Sequence, residues 1–258
     1  MTFLRASIRG VLLAVSIGLL LVPLFGIRIV AWMVPGAGRS ARIRDRASTF
    51  AFRQWARVAC WVIGVRPKLR GTPPAPPFFL VSNHLGYLDI VVMASLAPCV
   101  FVSKADVRNW PIIGRLCAAV GTIFLDREQK RDLPRTMGRI EAVLGSGRGV
   151  VLFPEGTSTK GDEVVRFRPS LLELPARSGR GVHYAALRYQ TRFGSPPAST
   201  TVCWWGDAPF FPHLWGMLAV RSIDAEVVFA AEPIEHTDRK ALARALRNAV
   251  AESFEPVV

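Results

Sequence analysis

The sequence predicts an α/β protein in which a mixed, largely parallel sheet is flanked by helices and preceded by an N-terminal membrane-anchoring helical segment. Three observations carry that prediction. From residue 78 onward short apolar runs alternate with helix-length stretches, the pattern of a sheet covered by helices. Ahead of them, residues 10–27 contain no charged side chain, and about 18 such residues make a spanning helix possible. The chain as a whole is 50% hydrophobic with mean hydropathy +0.28, more than the core of a soluble domain requires.

The apolar run is interrupted once, by Arg28, and resumes over residues 29–34. Arg5 and Arg9 precede it, and Arg39, Arg42, Arg44 and Arg46 follow it, so the flanking charges set no orientation. Pro23 lies inside the run and can kink it. A single span and a re-entrant hairpin with both ends on the cytoplasmic side both fit. A cleaved signal peptide fits less well, because the run is long for such a segment and no small-residue cleavage site follows it cleanly. Residues 48–65 then place Phe52, Trp55, Val58, Val62 and Val65 at three- and four-residue steps, with Arg53 and Arg57 between them. That spacing predicts an amphipathic helix, lying on a bilayer or packed on the domain. A proline-rich linker, 71–77, separates a membrane-associated part, 1–70, from the main domain, 71–258. At 258 residues the chain holds one α/β domain of ordinary size and no second.

Within the main domain, apolar runs bounded by turn residues predict strands over 78–82, 99–103, 122–125, 150–153, 182–187, 200–204 and 225–230. Helices are expected over 88–96, 111–120, 133–144, 169–177 and 237–254. The net charge of +14 directs the protein toward anionic lipid surfaces, phosphorylated substrates or nucleic acid, without choosing among them. Cys60, Cys99, Cys117 and Cys203 are scattered, with no CxxC and no Cys/His pair at zinc spacing. Neither a disulfide framework nor a metal site is expected, and a reducing compartment is the simplest reading.

Of the four histidines, His84 has an acidic residue, Asp89, five positions on. Within one helix that spacing would set the two side chains about 140° apart, so they can meet only across a turn, which Ser82 to Gly86 supply after a hydrophobic strand. Asp89 could then fix the imidazole tautomer and leave the other ring nitrogen free to take a proton from a hydroxyl. A strand-end histidine and an aspartate favoured by a helix N-terminus would read the same way. In the stretch from Phe153 to Ser158, Glu155, Gly156, Thr157 and Ser158 follow a strand. Such a loop can hold anionic oxygens or form a plain turn with a helix cap. Lys104 and Arg127 end two other strands, where they suit phosphate or a solvated surface. There is no G-x-S-x-G elbow, Walker A loop or HExxH, and the glycines at 145–149 precede a strand, where a dinucleotide fingerprint would follow one.

In this order, NHLGYLD at 83–89, residues 121–127 and FPEGTS at 153–158 resemble the ordered blocks of the glycerophospholipid acyltransferase family, which includes bacterial 1-acylglycerol-3-phosphate acyltransferases. The similarity runs from about 78 to 187. It implies the glycerolipid acyltransferase fold, with His84 as general base and Asp89 orienting it. Arg127 with the Glu155, Gly156, Thr157 block would hold the acceptor's polar head; Lys104, from its strand end, and Ser158, from its loop, join them as candidate substrate-binding residues. It also implies an acyl-CoA or acyl-carrier-protein donor, no cofactor and no metal. The expected acceptor is a lysolipid, foremost 1-acyl-sn-glycerol-3-phosphate, at the cell inner membrane with the catalytic domain on the cytoplasmic side. Anionic membrane lipids are expected partners and nucleic acid is not. Three departures fall near the acceptor side: Gly86 stands where many relatives have serine, Tyr184 near a usual proline, and 167–173 lacks a common glycine. They leave lyso-ornithine lipid as an alternative acceptor. A lipid esterase and a non-catalytic basic membrane-binding protein are further alternatives, the second giving no reason for the His84–Asp89 pair.

Overall fold

The computed structural model describes residues 2–34, 36–126, 132–192 and 194–257. Two long helices, α1 (Thr2–Met33) and α2 (Ala37–Ile63), lead into β1 (Val65–Arg70), β2 (Phe79–Ser82), α3 (Leu88–Leu96) and β3 (Cys99–Lys104). Then come α4 (Ile113–Ala119), β4 (Ile123–Leu125), α5 (Asp132–Gly145), β5 (Gly149–Leu152) and α6 (Glu173–Ser178). The chain finishes with β6 (Val182–Thr191), α7 (Ala198–Thr201), α8 (Phe210–Ala219), β7 (Ile223–Phe229) and α9 (Arg239–Ser253).

The strands form one sheet in the order β1-β7-β6-β2-β5-β3-β4. All neighbours are parallel except β6 and β7, so the sheet is mixed and mostly parallel as the sequence predicts. Successive strand residues alternate between two cores. Phe78, Leu80, Val151 and Leu187 face the layer that includes α2, α3 and α8, while Phe79, Val81, Val150 and Leu152 face the layer of α5 and α9. Gly149 starts β5 directly on the Phe78 ring, which a Cβ there would meet at 2.1 Å.

Pro23 does not break α1, which runs unbroken through it. Ser16, Leu20, Leu24 and Ala31 form its buried stripe, at helical steps. Leu4, Ile8, Val11, Val15, Leu19 and Val22 form an exposed stripe on another side, at three- and four-residue steps. Both ends of α1 are fastened to the rest of the protein. Arg5 Nη1 donates to Ala219 O at 2.8 Å and Arg9 Nη2 to Arg221 O at 3.0 Å. Farther along, Trp55 Nε1 on α2 donates to Ser16 Oγ at 3.1 Å, and Ser40 donates to Ala31 O. The amphipathic helix therefore packs on the domain. Arg53 Nη2 donates to Leu96 O at 2.9 Å and Arg57 Nε to Ser95 O at 3.2 Å, satisfying carbonyls that the C-terminus of α3 leaves unpaired.

Two expectations need correction. Residues 200–204 are not a strand: Pro197 opens the short helix α7, and Val202 N and Cys203 N both donate to Ala198 O at 2.9 Å. Trp204 N is taken up by Leu85 O at 2.7 Å, so this backbone crosses the turn after β2 instead of entering the sheet. Conversely, Val65–Arg70, ahead of the proline linker, is a sheet strand paired with β7. Its burial alternates only weakly because it lies at the edge, so it carries little apolar signature.

Candidate active site

β2, β3, β4 and β5 run parallel; the NHLGYLD and FPEGTS blocks follow the carboxyl ends of β2 and β5, Lys104 closes β3, and residues 121–126 hold β4. Open α/β sheets bind ligands at that edge. β2 delivers Asn83 and His84. Asn83 extends the sheet with its side chain: Nδ2 donates to Leu187 O and Oδ1 accepts from Leu187 N, both at 2.8 Å. The turn that follows returns the chain so that Asp89, in the first turn of α3, faces His84.

His84 Nδ1 lies 2.7 Å from Asp89 Oδ2. The same oxygen accepts from the backbone N–H of Leu85 at 2.6 Å and of Gly86 at 3.0 Å. Tyr189 Oη donates to Asp89 Oδ1 at 2.8 Å. Burial, then the neighbouring Asp89, pushes the Tyr189 phenol well above its usual range, so the hydroxyl keeps its proton and stays a donor. Asp89 has no exposed surface, whereas the His84 side chain is 21% exposed. With an acceptor at Nδ1, that nitrogen carries the proton and Nε2 is the free acceptor. Phe153 stacks on the imidazole, ring centroids 4.3 Å apart and planes 14° from parallel, and fixes its orientation.

Glu155 lies behind this pair, buried. Its Oε2 accepts from His84 N at 2.8 Å and its Oε1 from Val165 N at 3.1 Å. Burial pushes its carboxyl up to about 8, against the opposing pull of those amide bonds. Thr159 N donates to His84 O at 2.9 Å, so the loop after β5 holds both sides of the His84 peptide. Gly156 is buried with φ +79, Thr157 is exposed, and Ser158 is partly exposed. Lys104 stands exposed at the end of β3, on the same edge. Arg127 lies outside the described residues. The structure thus joins His84, Asp89 and Glu155 directly and sets Gly156 to Ser158 beside them, while Lys104 shares only the edge.

Gly86 is a point of close approach, since a Cβ there would meet Trp204 N at 3.0 Å. Trp204 belongs to an aromatic group with Tyr87, Trp110 and Phe210. Within that group the Tyr87 hydroxyl lies 2.8 Å from His213 Nδ1. Sequence reasoning missed Tyr189 and this group. Tyr189 is one hundred residues from Asp89, and only the β6 alternation, which turns it toward the α3 side, could have pointed to it.

A family model described as Acyltransferase matches residues 66–186, which takes in His84, Asp89 and Glu155 and stops short of Tyr189 and Trp204. The chain is 35% identical over 205 residues to the lyso-ornithine lipid O-acyltransferase of Rhizobium meliloti, covering 74% of this chain and 70% of that one. It is 29% identical over 192 residues to the 1-acyl-sn-glycerol-3-phosphate acyltransferase of Neisseria gonorrhoeae, covering 73% and 72% respectively. The fold is similar to that of the 1-acyl-sn-glycerophosphate acyltransferase PlsC from Thermotoga maritima, with TM-score 0.63, 16% identity, and coverage of 96% of this chain and 97% of that one. The match to the Rhizobium enzyme, joined to the family model over the His84–Asp89 turn and the Glu155 loop, shows that this chain belongs to the acyltransferase family and is an O-acyltransferase.

Proposed function

We propose that this enzyme transfers a fatty acyl group from acyl-CoA or acyl-carrier protein to the hydroxyl of a lysolipid, with lyso-ornithine lipid as acceptor and His84 as general base. The observation that carries the mechanism is the 2.7 Å contact between His84 Nδ1 and an Asp89 oxygen held by two backbone amides. His84 Nε2 takes the acceptor's hydroxyl proton as the oxygen attacks the thioester carbonyl carbon. The new C–O bond forms, the C–S bond breaks, and the leaving thiolate takes the proton back from the imidazolium. Asp89 steadies that imidazolium, and Glu155 positions the His84 backbone. Lyso-ornithine lipid is favoured because the relative carrying that name is the more similar of the two enzymes compared. The second reading, 1-acyl-sn-glycerol-3-phosphate, is favoured by the cationic Lys104 at the site edge and the net charge of +14.

The division that fits this reading is a catalytic body over 65–257, with the α1–α2 hairpin as its attachment to the cytoplasmic face of the inner membrane. α1 is long and apolar enough to cross a bilayer. Fastening of its first turns to residues 219 and 221, and of its end to α2, supports a helix that dips into one leaflet with the exposed stripe toward lipid.

The test is an acyl-transfer assay on membranes holding the full chain, offering labelled acyl-CoA and acyl-carrier protein against both lysolipids, with His84→Ala alongside. Product from lyso-ornithine lipid, absent in His84→Ala, is expected. Product from lysophosphatidate alone would move the assignment to the second reading, and near-normal turnover by His84→Ala would overturn the mechanism.

A further inference from the structure

His213 stands in the first turn of α8, beyond the residues that the family model matches. Its Nε2 lies 3.1 Å from Cys203 O and its Nδ1 lies 2.8 Å from Tyr87 Oη. A carbonyl oxygen only accepts, so Nε2 carries the proton. Burial pushes the imidazole below its ordinary value, against the opposing bond to Cys203, so the ring stays neutral and Nδ1 keeps a lone pair. Burial also pushes the Tyr87 phenol up, so its hydroxyl keeps its proton and donates to that nitrogen. The two bonds fix one tautomer and one direction of donation.

That direction continues through the backbone. Cys203 O and Trp204 N–H belong to one trans peptide and point opposite ways. Trp204 N donates to Leu85 O at 2.7 Å. Leu85 O and Gly86 N–H belong to a second trans peptide, and Gly86 N donates to Asp89 Oδ2 at 3.0 Å. The same oxygen meets His84 Nδ1 at 2.7 Å. Four bonds therefore run head to tail from Tyr87 Oη to Asp89. Cys203, Leu85 and Asp89 along this path are buried. In such a chain each dipole polarises the next, and the low dielectric of the interior strengthens the effect.

We propose that His213 is a positioning residue for acyl transfer: through the Cys203 and Leu85 peptides it holds the Gly86 amide on Asp89, and so keeps that carboxylate aimed at His84. The proposal rests on the reading of His84 as general base. Neither Tyr87 nor His213 is bonded to His84, so their effect on it passes through Asp89.

The test measures kcat and KM per folded molecule of the purified full chain in detergent micelles, on the lysolipid that the wild type acylates, with His84→Ala alongside. His213→Phe fills the ring's place without either bond. It is expected to lower kcat roughly three- to tenfold, the effect of losing one hydrogen bond, with both KM values unchanged. A Gln amide N–H can take the place of Nε2 and reach Cys203 O, whereas Asn is too short and keeps only an acceptor near Tyr87. His213→Gln is therefore expected to recover most of kcat and His213→Asn to stay low. Tyr87→Phe added to His213→Phe should lower kcat no further, since the chain is already cut. A histidine that only packs α8 would show in the melting temperature, with Gln and Asn variants turning over alike. Wild-type kcat in His213→Phe, equal kcat for the Gln and Asn variants, or a loss confined to KM would overturn the proposal. Should His213→Phe misfold, the Gln and Asn pair decides alone. Near-normal turnover by His84→Ala would overturn the general-base reading, and the proposal with it, whereas an inactive His84→Ala beside a fully active His213→Phe would sink the proposal only.

Discussion

Asp89 uses both oxygens fully, accepting from two backbone amides, an imidazole and a phenol, with no water contact. An amide at this position turns one acceptor into a donor aimed at other donors. Asp89→Asn should therefore lower kcat by about 10²- to 10⁴-fold, as when the orienting carboxylate of a histidine base is lost. It should also cost about 1–3 kcal/mol of stability for the groups left unpaired; an Asn variant with wild-type melting and turnover would refute both. Tyr189→Phe removes one donor and keeps the ring, so a smaller loss in kcat with KM unchanged is expected from steady-state kinetics. Glu155 adds a pH signature. Its carboxyl is pushed from 4.5 up to about 8 by burial, so the folded state binds that proton more tightly than the unfolded chain does. The resulting stabilisation is full below about pH 4.5 and is lost as the pH rises through about 8. Thermal melts across that window should decline for the wild type and stay flatter for Glu155→Gln; parallel curves would contradict the assignment. The His84–Asp89 pair was legible because H-x₄-D sits after an apolar run in the sequence itself. In the sequence the carboxylate at 155 reads as a headgroup contact, since nothing local shows that its oxygens meet the amides of residues 84 and 165.

At the scale of elements, the turn between β2 and α3 depends on what lies above it. Trp204 N donates to Leu85 O, and its backbone passes so close that a side chain at Gly86 has no room. Gly86→Ser should cost about 1–3 kcal/mol here as an overpacked contact, read as a lowered Tm. A melting point equal to the wild type's would show that residues 203–205 yield freely. The buried strands were legible because each is a short, nearly continuous apolar run: 78–82, 99–103 and 150–153 fall within a residue or so of β2, β3 and β5. α3 matches its expected bounds, 88–96. Where tertiary context decides, the sequence is silent. β1 is an edge strand rich in charge, VRPKLR. α8, FFPHLWGMLA, has apolar residues on nearly every side and so no periodicity to read. The β-branched run at 200–204 looks extended in isolation, but the helix that Pro197 opens takes its start.

For the whole molecule, the hairpin belongs to the catalytic body's own core. Leu20, Leu24, Phe52, Cys60 and Ile63 share one buried cluster with Leu80, Leu187 and Val227 of the sheet. Each large apolar side chain buried there contributes about 1.5–3 kcal/mol, and several together rival the 5–15 kcal/mol that holds an ordinary domain folded. A chain beginning at Val65 should be insoluble and inactive; a soluble fragment with a single cooperative melt would show that the sheet stands without its hairpin. The bonds from Arg53 and Arg57 to the last carbonyls of α3 carry this further. α3 is nine residues long, a rod of about 13 Å, with Asp89 in its opening turn and the hairpin's arginines on its far end. Arg53→Ala/Arg57→Ala should accordingly depress kcat without touching any group at the reacting edge. The proposed membrane handle grips one end of α3 and the proposed catalytic aspartate opens the other, so whatever loosens the grip on one is felt at the other.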